Sequence, residues 1–207
     1  MLAFPILLFV FFSIAVAQAK TILPMEPHGL EELAWRTLVA DICSFDMDAK
    51  TITVSLYEPE CFDGTTMDAL EPGDILVINE EEILVKSVWN SALQLEVNTP
   101  EDDSESGEDY KTFIRDSAGD YHQSVKEIDT QLINLGEIKL TLDDSIVFID
   151  GRTEAGTPLD IPNTMGMDSF FQQIKTSPRD YACRNLFITF DGKEKPLVIQ
   201  RFYVYWQ

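Results

Sequence analysis

The chain has 207 residues, and its 36 acids against 15 Lys and Arg give a net charge of −21. A field of that sign repels phosphate, so neither nucleic acid nor an anionic membrane surface is an expected partner. Three cysteines and two histidines are too few for a disulfide scaffold or a tetrahedral zinc site.

The first element is a leader. Leu2–Ala17 holds no charged residue and is crowded with Phe, Leu, Ile and Val. It runs into Ala15-Val16-Ala17-Gln18-Ala19, which contains two small-x-small cleavage signals. This pattern predicts a signal peptide over residues 1–19, cut after Ala19, with a cut after Ala17 as the other option. No Lys or Arg precedes the run. The alternative is therefore an uncleaved anchor, since a membrane span needs about 20 apolar residues. The expected location is secreted or extracytoplasmic, free in the first case and anchored in the second.

Residues 20–34, with Pro24, Pro27 and Gly29, read as an irregular lead-in. A β-rich subdomain is expected over 35–98. Thr37–Phe45 and Thr51–Tyr57 form a predicted hairpin, and Thr51–Tyr57 alternates polar with apolar as a half-buried strand does. Glu58–Asp68 reads as a polar loop. Glu71-Pro72-Gly73-Asp74 is a turn, because Pro presets φ and Gly accepts positive φ. Ile75–Ile78 and Ile83–Val88 make a second hairpin about Asn79–Glu82, and Ser91–Val97 is a fifth strand. Together these suggest a small five-stranded barrel.

Thr99–Tyr110 carries six acids and no base, which reads as an acidic linker or loop. A second β-rich subdomain with one helix is expected over 111–207. Its predicted strands are Tyr110–Arg115, Tyr121–Ile128, Gln131–Leu142 with a bulge at Gly136, and Ile146–Ile149. Arg152–Met167 reads as a loop. Asp168 caps a short helix through Lys175, with Phe170, Phe171 and Ile174 on one face. Asn185–Phe190 and Leu197–Trp206 form the last hairpin. The predicted fold class is mainly β: an antiparallel small barrel or sandwich followed by a β-sheet with one short helix.

The charge is uneven. Lys175–Gln207 holds six bases against three acids, so this tail is +3 and Lys20–Ile174 carries −24. The acidic part suits a cationic partner or divalent cations, while a solvated acidic surface accounts for the same balance. No partner and no oligomeric state are specified.

No residue set demands a catalytic, cofactor-binding or metal role, and no cofactor is expected. Asp120 and His122, two apart on a predicted strand, face the same side, but an acyl-transfer triad needs more than that pair. His28 lies in the lead-in. Paired carboxylates in a cleft would suit glycoside hydrolysis. Trp35, Trp89 and Trp206 suit sugar stacking or core packing. Asp102–Gly107 starts like an EF-hand loop, but position twelve is Phe113 rather than the bidentate Glu. Phe202, Tyr203, Tyr205 and Trp206 beside Arg201 suit base stacking, which the overall charge opposes.

Cys43 and Cys61 are the candidate disulfide pair, since export permits a bridge. The predicted hairpin places Cys43 opposite about Thr53, so the Glu58–Phe62 loop has to fold back for the bridge to close. Cys183 is a third candidate partner, and three free thiols are the alternative.

Leu70–Val88, with Glu71-Pro72-Gly73-Asp74 and its two strands, resembles a hairpin common in secreted proteins of Gram-positive gut bacteria. The tail Ile188–Tyr205, with Asp191-Gly192, is similar to the ends of those proteins. The resemblance implies no activity and no functional residue. The expectation is an exported acidic β-rich protein acting as a non-catalytic binding or envelope-associated domain, with a secreted hydrolase using paired carboxylates as the alternative.

Overall fold

The computed structural model describes residues 19–98, 110–116, 118–124, 130–152, 158–182 and 184–201. The leader up to Gln18, Asp102–Gly107 and the rest of the predicted linker through Asp109, Cys183, and the aromatic tail from Phe202 with Trp206 lie outside them.

In chain order the strands are β1 (Thr21–Ile22), β2 (Thr37–Asp46), β3 (Thr51–Pro59), β4 (Cys61–Phe62), β5 (Ile75–Ile78), β6 (Glu81–Leu84), β7 (Val88–Asn90) and β8 (Gln94–Val97). They continue with β9 (Lys111–Arg115), β10 (Tyr121–Gln123), β11 (Leu132–Thr141), β12 (Val147–Arg152), β13 (Pro158–Met165), β14 (Leu186–Phe190) and β15 (Pro196–Arg201). Two helices, α1 (Gly64–Asp68) and α2 (Met167–Thr176), and a 3-10 turn (Pro178–Tyr181) complete the described elements.

The fold is mainly β, as expected, and its strands form three open sheets. A seven-stranded sheet runs β11-β3-β2-β14-β15-β12-β13, antiparallel except where β12 and β15 lie parallel. A five-stranded antiparallel sheet runs β4-β10-β9-β8-β7. The third is β1-β5-β6, with β1 parallel to β5.

Each core follows from side-chain alternation. Leu38, Ala40 and Ile42 on β2, Ile52, Val54 and Leu56 on β3, and Leu186, Ile188 and Phe190 on β14 all enter one cluster. Helix α2 covers it with Phe170, Phe171 and Ile174, spaced to share one helical face. Phe170 stacks on Phe148 at 4.4 Å and meets Tyr181 edge-on at 5.8 Å. The second core is shared by the two smaller sheets: Ile22, Leu76, Ile78 and Ile83 from one, and Phe62, Leu95, Val97, Phe113 and Tyr121 from the other. Those two sheets therefore face each other as a small sandwich, with Met67 of α1 between them.

Several expectations are corrected. The stretch 35–98 does not make a barrel of its own. Its strands β2 and β3 join the large sheet, while β4 pairs with β10 and the β7–β8 pair with β9, both partners lying beyond the predicted linker. The sheets thus do not follow a division at 99–110. Part of the predicted 152–167 loop is strand β13. It is the edge of its sheet, where Pro158 and Pro162 need donate to no neighbour on the open side. The second hairpin turns on Asn79 and Glu80 alone, both at positive φ (53° and 67°), as a two-residue turn matched to strand twist requires. Helix α2 starts from Gly166, and Asp168 sits in its first turn, with Lys175 in the last, each complementing the helix dipole. The predicted bulge at Gly136 is present, at φ +117° between register positions Asn134 and Gly136.

Candidate functional site

β3 belongs to the large sheet and β4 to the five-stranded one, with only Glu60 between them. Both histidines of the chain reach this crossing. Its centre is Glu58, near the end of β3 and only 3% exposed. The His28 backbone N–H donates to Glu58 Oε2 at 3.0 Å, and His28 Nδ1 lies 2.9 Å from Oε1. A carboxylate only accepts, so Nδ1 carries the proton in this contact. Arg36, buried just before β2, donates from Nη1 to the same Oε1. Glu58 is thereby held by His28 of the lead-in segment and by Arg36 at the entry to β2.

On the other side stands the β9–β10 hairpin. Asp116 Oδ1 accepts from the Gly119 and Asp120 backbone N–H groups at 2.9 and 3.0 Å. This leaves Oδ2 4.0 Å from His122 Nε2. Burial pushes the pKa of His122 below its ordinary value, while Asp116 and Glu58 oppose that shift. Asp120, which strand alternation sets on the same side as His122, turns elsewhere, and its Oδ1 accepts from the Gly64 N–H at 3.0 Å. Arg36, Thr37, Leu38, Glu58, Pro59, Asp116 and His122 line a cleft with about 200 Å³ of empty space, open solvent included. The closed part of it admits only a water-sized group.

Cys61 pairs across β4–β10 with His122, an arrangement that invites comparison with a Cys–His nucleophile. Burial, reinforced by Glu58 and Asp116, pushes its thiol up to about 12. It is therefore a protonated, packed group and not an activated thiolate. The candidate disulfide is not formed. Cys43 and Cys61 are both free, on strands of different sheets, and Cys43 Sγ instead lies 3.2 Å from Ser55 Oγ.

The tryptophans divide. Trp35 is exposed and lies over the β14–β15 turn, where a Cβ on Gly192 would come within 2.7 Å of its ring. Trp89, 52% exposed, stands on the solvent side of β7. Glu96 is its cross-strand partner, followed by Thr112, with Gln94 and Ile114 in the next row. Gln94 Nε2 donates to Glu96 Oε1 at 2.6 Å. The opposite side of these strands holds the buried Leu95, Val97 and Phe113. Among the described residues no group of three His, Cys, Asp or Glu side chains is placed to hold a metal. No helix among them is long and apolar enough to cross a membrane.

Sequence reasoning missed Glu58 and Arg36. Their signal was weak: an acid at the end of an alternating strand and an arginine just ahead of another. Compared with protein-family models, curated proteins and solved structures, the chain matches none.

Proposed function

We propose that this chain is an exported, non-catalytic binding domain that presents the solvent face of β7–β9 to a neutral polysaccharide. The observation that carries the reading is how the crossing cluster uses its chemistry. Glu58 already accepts from Arg36 and His28, Cys61 is held as a thiol, and the closed part of the cleft admits only a water-sized group. These groups join the two parts of the fold, and this weighs against a hydrolase built on Glu58 and Asp116.

The β7–β9 face is the better-equipped surface. A half-exposed indole offers a flat apolar plane, and Gln94, Glu96 and Thr112 supply donors and acceptors beside it. Aromatic stacking with polar neighbours suits the C–H face and hydroxyls of a pyranose. The net charge of −21 favours an uncharged glycan over an acidic one.

Titration of the exported protein with neutral and acidic polysaccharides, followed by tryptophan fluorescence, tests this. Binding to a neutral polymer that Trp89→Ala removes, with the unfolding midpoint retained, supports the reading. Release of reducing ends that Glu58→Gln abolishes would replace it with the hydrolase.

A further inference from the structure

We infer that the fold contains a receptor for the α-ammonium group created by cleavage between Ala19 and Lys20, and that Asp74 is its anion; the inference rests on the export reading. Strand β1 has two residues, yet it is docked with full register: Thr21 opposite Ile75 and Ile22 opposite Leu76. The docking begins at Lys20. Its carbonyl accepts from the Ile75 N–H at 2.8 Å, and its backbone nitrogen donates to Asp74 Oδ1 at 2.9 Å. Lys20 Nζ reaches the Ala69 carbonyl at 3.2 Å.

Asp74 is an unusual partner for a backbone amide. It is 5% exposed, and its other oxygen accepts from the Glu71 N–H at 3.0 Å. Its main chain is bonded to Val85 and Glu71. The Lys20 nitrogen is the first cause of its lowered pKa. A buried carboxylate is costly unless a charge or several donors meet it. In the uncut chain the Lys20 backbone nitrogen meets it as a neutral amide, and the charge of the Lys20 side chain acts on it only as a lesser Coulombic contribution.

Hydrolysis changes the character of an atom that already lies against its partner. Water, delivered by the export peptidase, breaks the Ala19–Lys20 amide. The acyl carbon leaves as the carboxylate of Ala19, and the nitrogen takes up protons to become the α-ammonium of Lys20. That nitrogen already lies 2.9 Å from Asp74 Oδ1. The hydrogen bond becomes charge-assisted, roughly twice as strong as its neutral counterpart. A cut after Ala17 instead leaves Gln18-Ala19 attached and the neutral amide in place. The two cleavage options are thus unequal in the folded state, and removal of the leader tightens the sandwich it was attached to.

The test compares chains beginning at Lys20 and at Gln18, each made from a removable fusion, alone and with Asp74→Asn. Both retain an N–H at Lys20; the longer chain carries Gln18-Ala19 and its ammonium two residues away, and Asp74→Asn isolates the part of any difference that runs through Asp74. The Lys20 chain is expected to unfold about 2–4 °C higher, and Asp74→Asn should erase the difference. Equal midpoints, or a difference that survives Asp74→Asn, would overturn the inference. The comparison of the two unsubstituted chains stands even where Asp74→Asn fails to fold. Intact mass of exported material separates the two readings. A chain beginning at Lys20 supports the inference. One beginning at Gln18 overturns it while leaving export standing, and one that keeps its leader overturns export as well.

Discussion

Arg201 grips Asp150 with two nitrogens across the parallel pairing of β15 with β12. Nε donates to Oδ1 at 2.8 Å and Nη2 to Oδ2, and the two residues are register partners. Nη1 reaches Asp180 at 3.3 Å, and the guanidinium lies 5.0 Å from the centre of the Tyr181 ring. One side chain thus ties two strands to the 3-10 turn. Arg201→Met leaves Asp150 buried without its cation and should destabilise the fold by about 3–5 kcal/mol. Adding Asp150→Val to Arg201→Met should recover part of that loss, because the pair also carries a desolvation cost. Chemical denaturation of the three proteins checks this, and a double variant no better than Arg201→Met would show that the pair is worth more than its burial penalty.

His122 predicts a pH dependence. Its folded pKa lies below the ordinary 6.5 because of burial. The unfolded chain therefore takes up a proton first as pH falls. Stability contributed by the neutral ring is complete above about pH 6.5 and declines from there down to the folded pKa. Asp116, Glu58 and Asp120 act on the ring in one direction and Arg36 in the other. Unfolding free energies measured between pH 7.5 and 5 should slope downward, and His122→Gln should flatten that slope. Identical slopes would remove His122 as the cause.

Two glycines should respond differently to Ala. A Cβ on Gly64 would fall on the Gly119 carbonyl oxygen, where the start of α1 presses on the β9–β10 turn. Gly64→Ala should cost about 1–3 kcal/mol through overpacking. It should also loosen the Gly64–Asp120 bond. Gly73 has open space around it but sits at φ +102°, so Gly73→Ala meets backbone strain and no clash. Rescue of Gly64→Ala by Gly119→Ala is not expected, since the obstacle is backbone. Thermal melts of the variants provide the measurement.

The thiols should react in sequence. Cys43 is exposed, and Cys61 is buried with its thiol pushed up to about 12. Alkylation of the native protein at pH 8 should label Cys43 within minutes and Cys61 only after denaturant is added. Peptide mapping reads each site separately. Early labelling of Cys61 would contradict the packing of β4 against β10.

Hairpins were legible in the sequence because both of their strands and the turn lie within a short window. Thr51–Tyr57 announces itself by alternation, and Gly136 by interrupting a strand. Sheet membership was not legible. Nothing local in Thr51–Pro59 says that its second neighbour is Leu132–Thr141, since that pairing is decided by packing at long range. β13 was hidden by its prolines, which an edge strand tolerates. α1 was hidden by Gly64-Thr65-Thr66, poor helix formers that start behind the Asp63 cap. At the candidate site, alternation put His122 only on the side of Asp120, which turns to the Gly64 N–H. The β9–β10 turn, invisible to a period of two, supplies Asp116 instead.

The register of β3 and β11 has one more consequence. Pro59 lies opposite Leu132, so the chain departs the large sheet and rejoins it at adjacent points. Topologically, β3 and β11 are a hairpin whose turn has been replaced by a whole second module, spanning β4 to β10. Such a module is attached by a neck two strands wide, with the lead-in from β1 as a third strap running back to β2. Its loops away from the Glu58 crossing can then change length or composition without shifting any strand of the sheet that carries it.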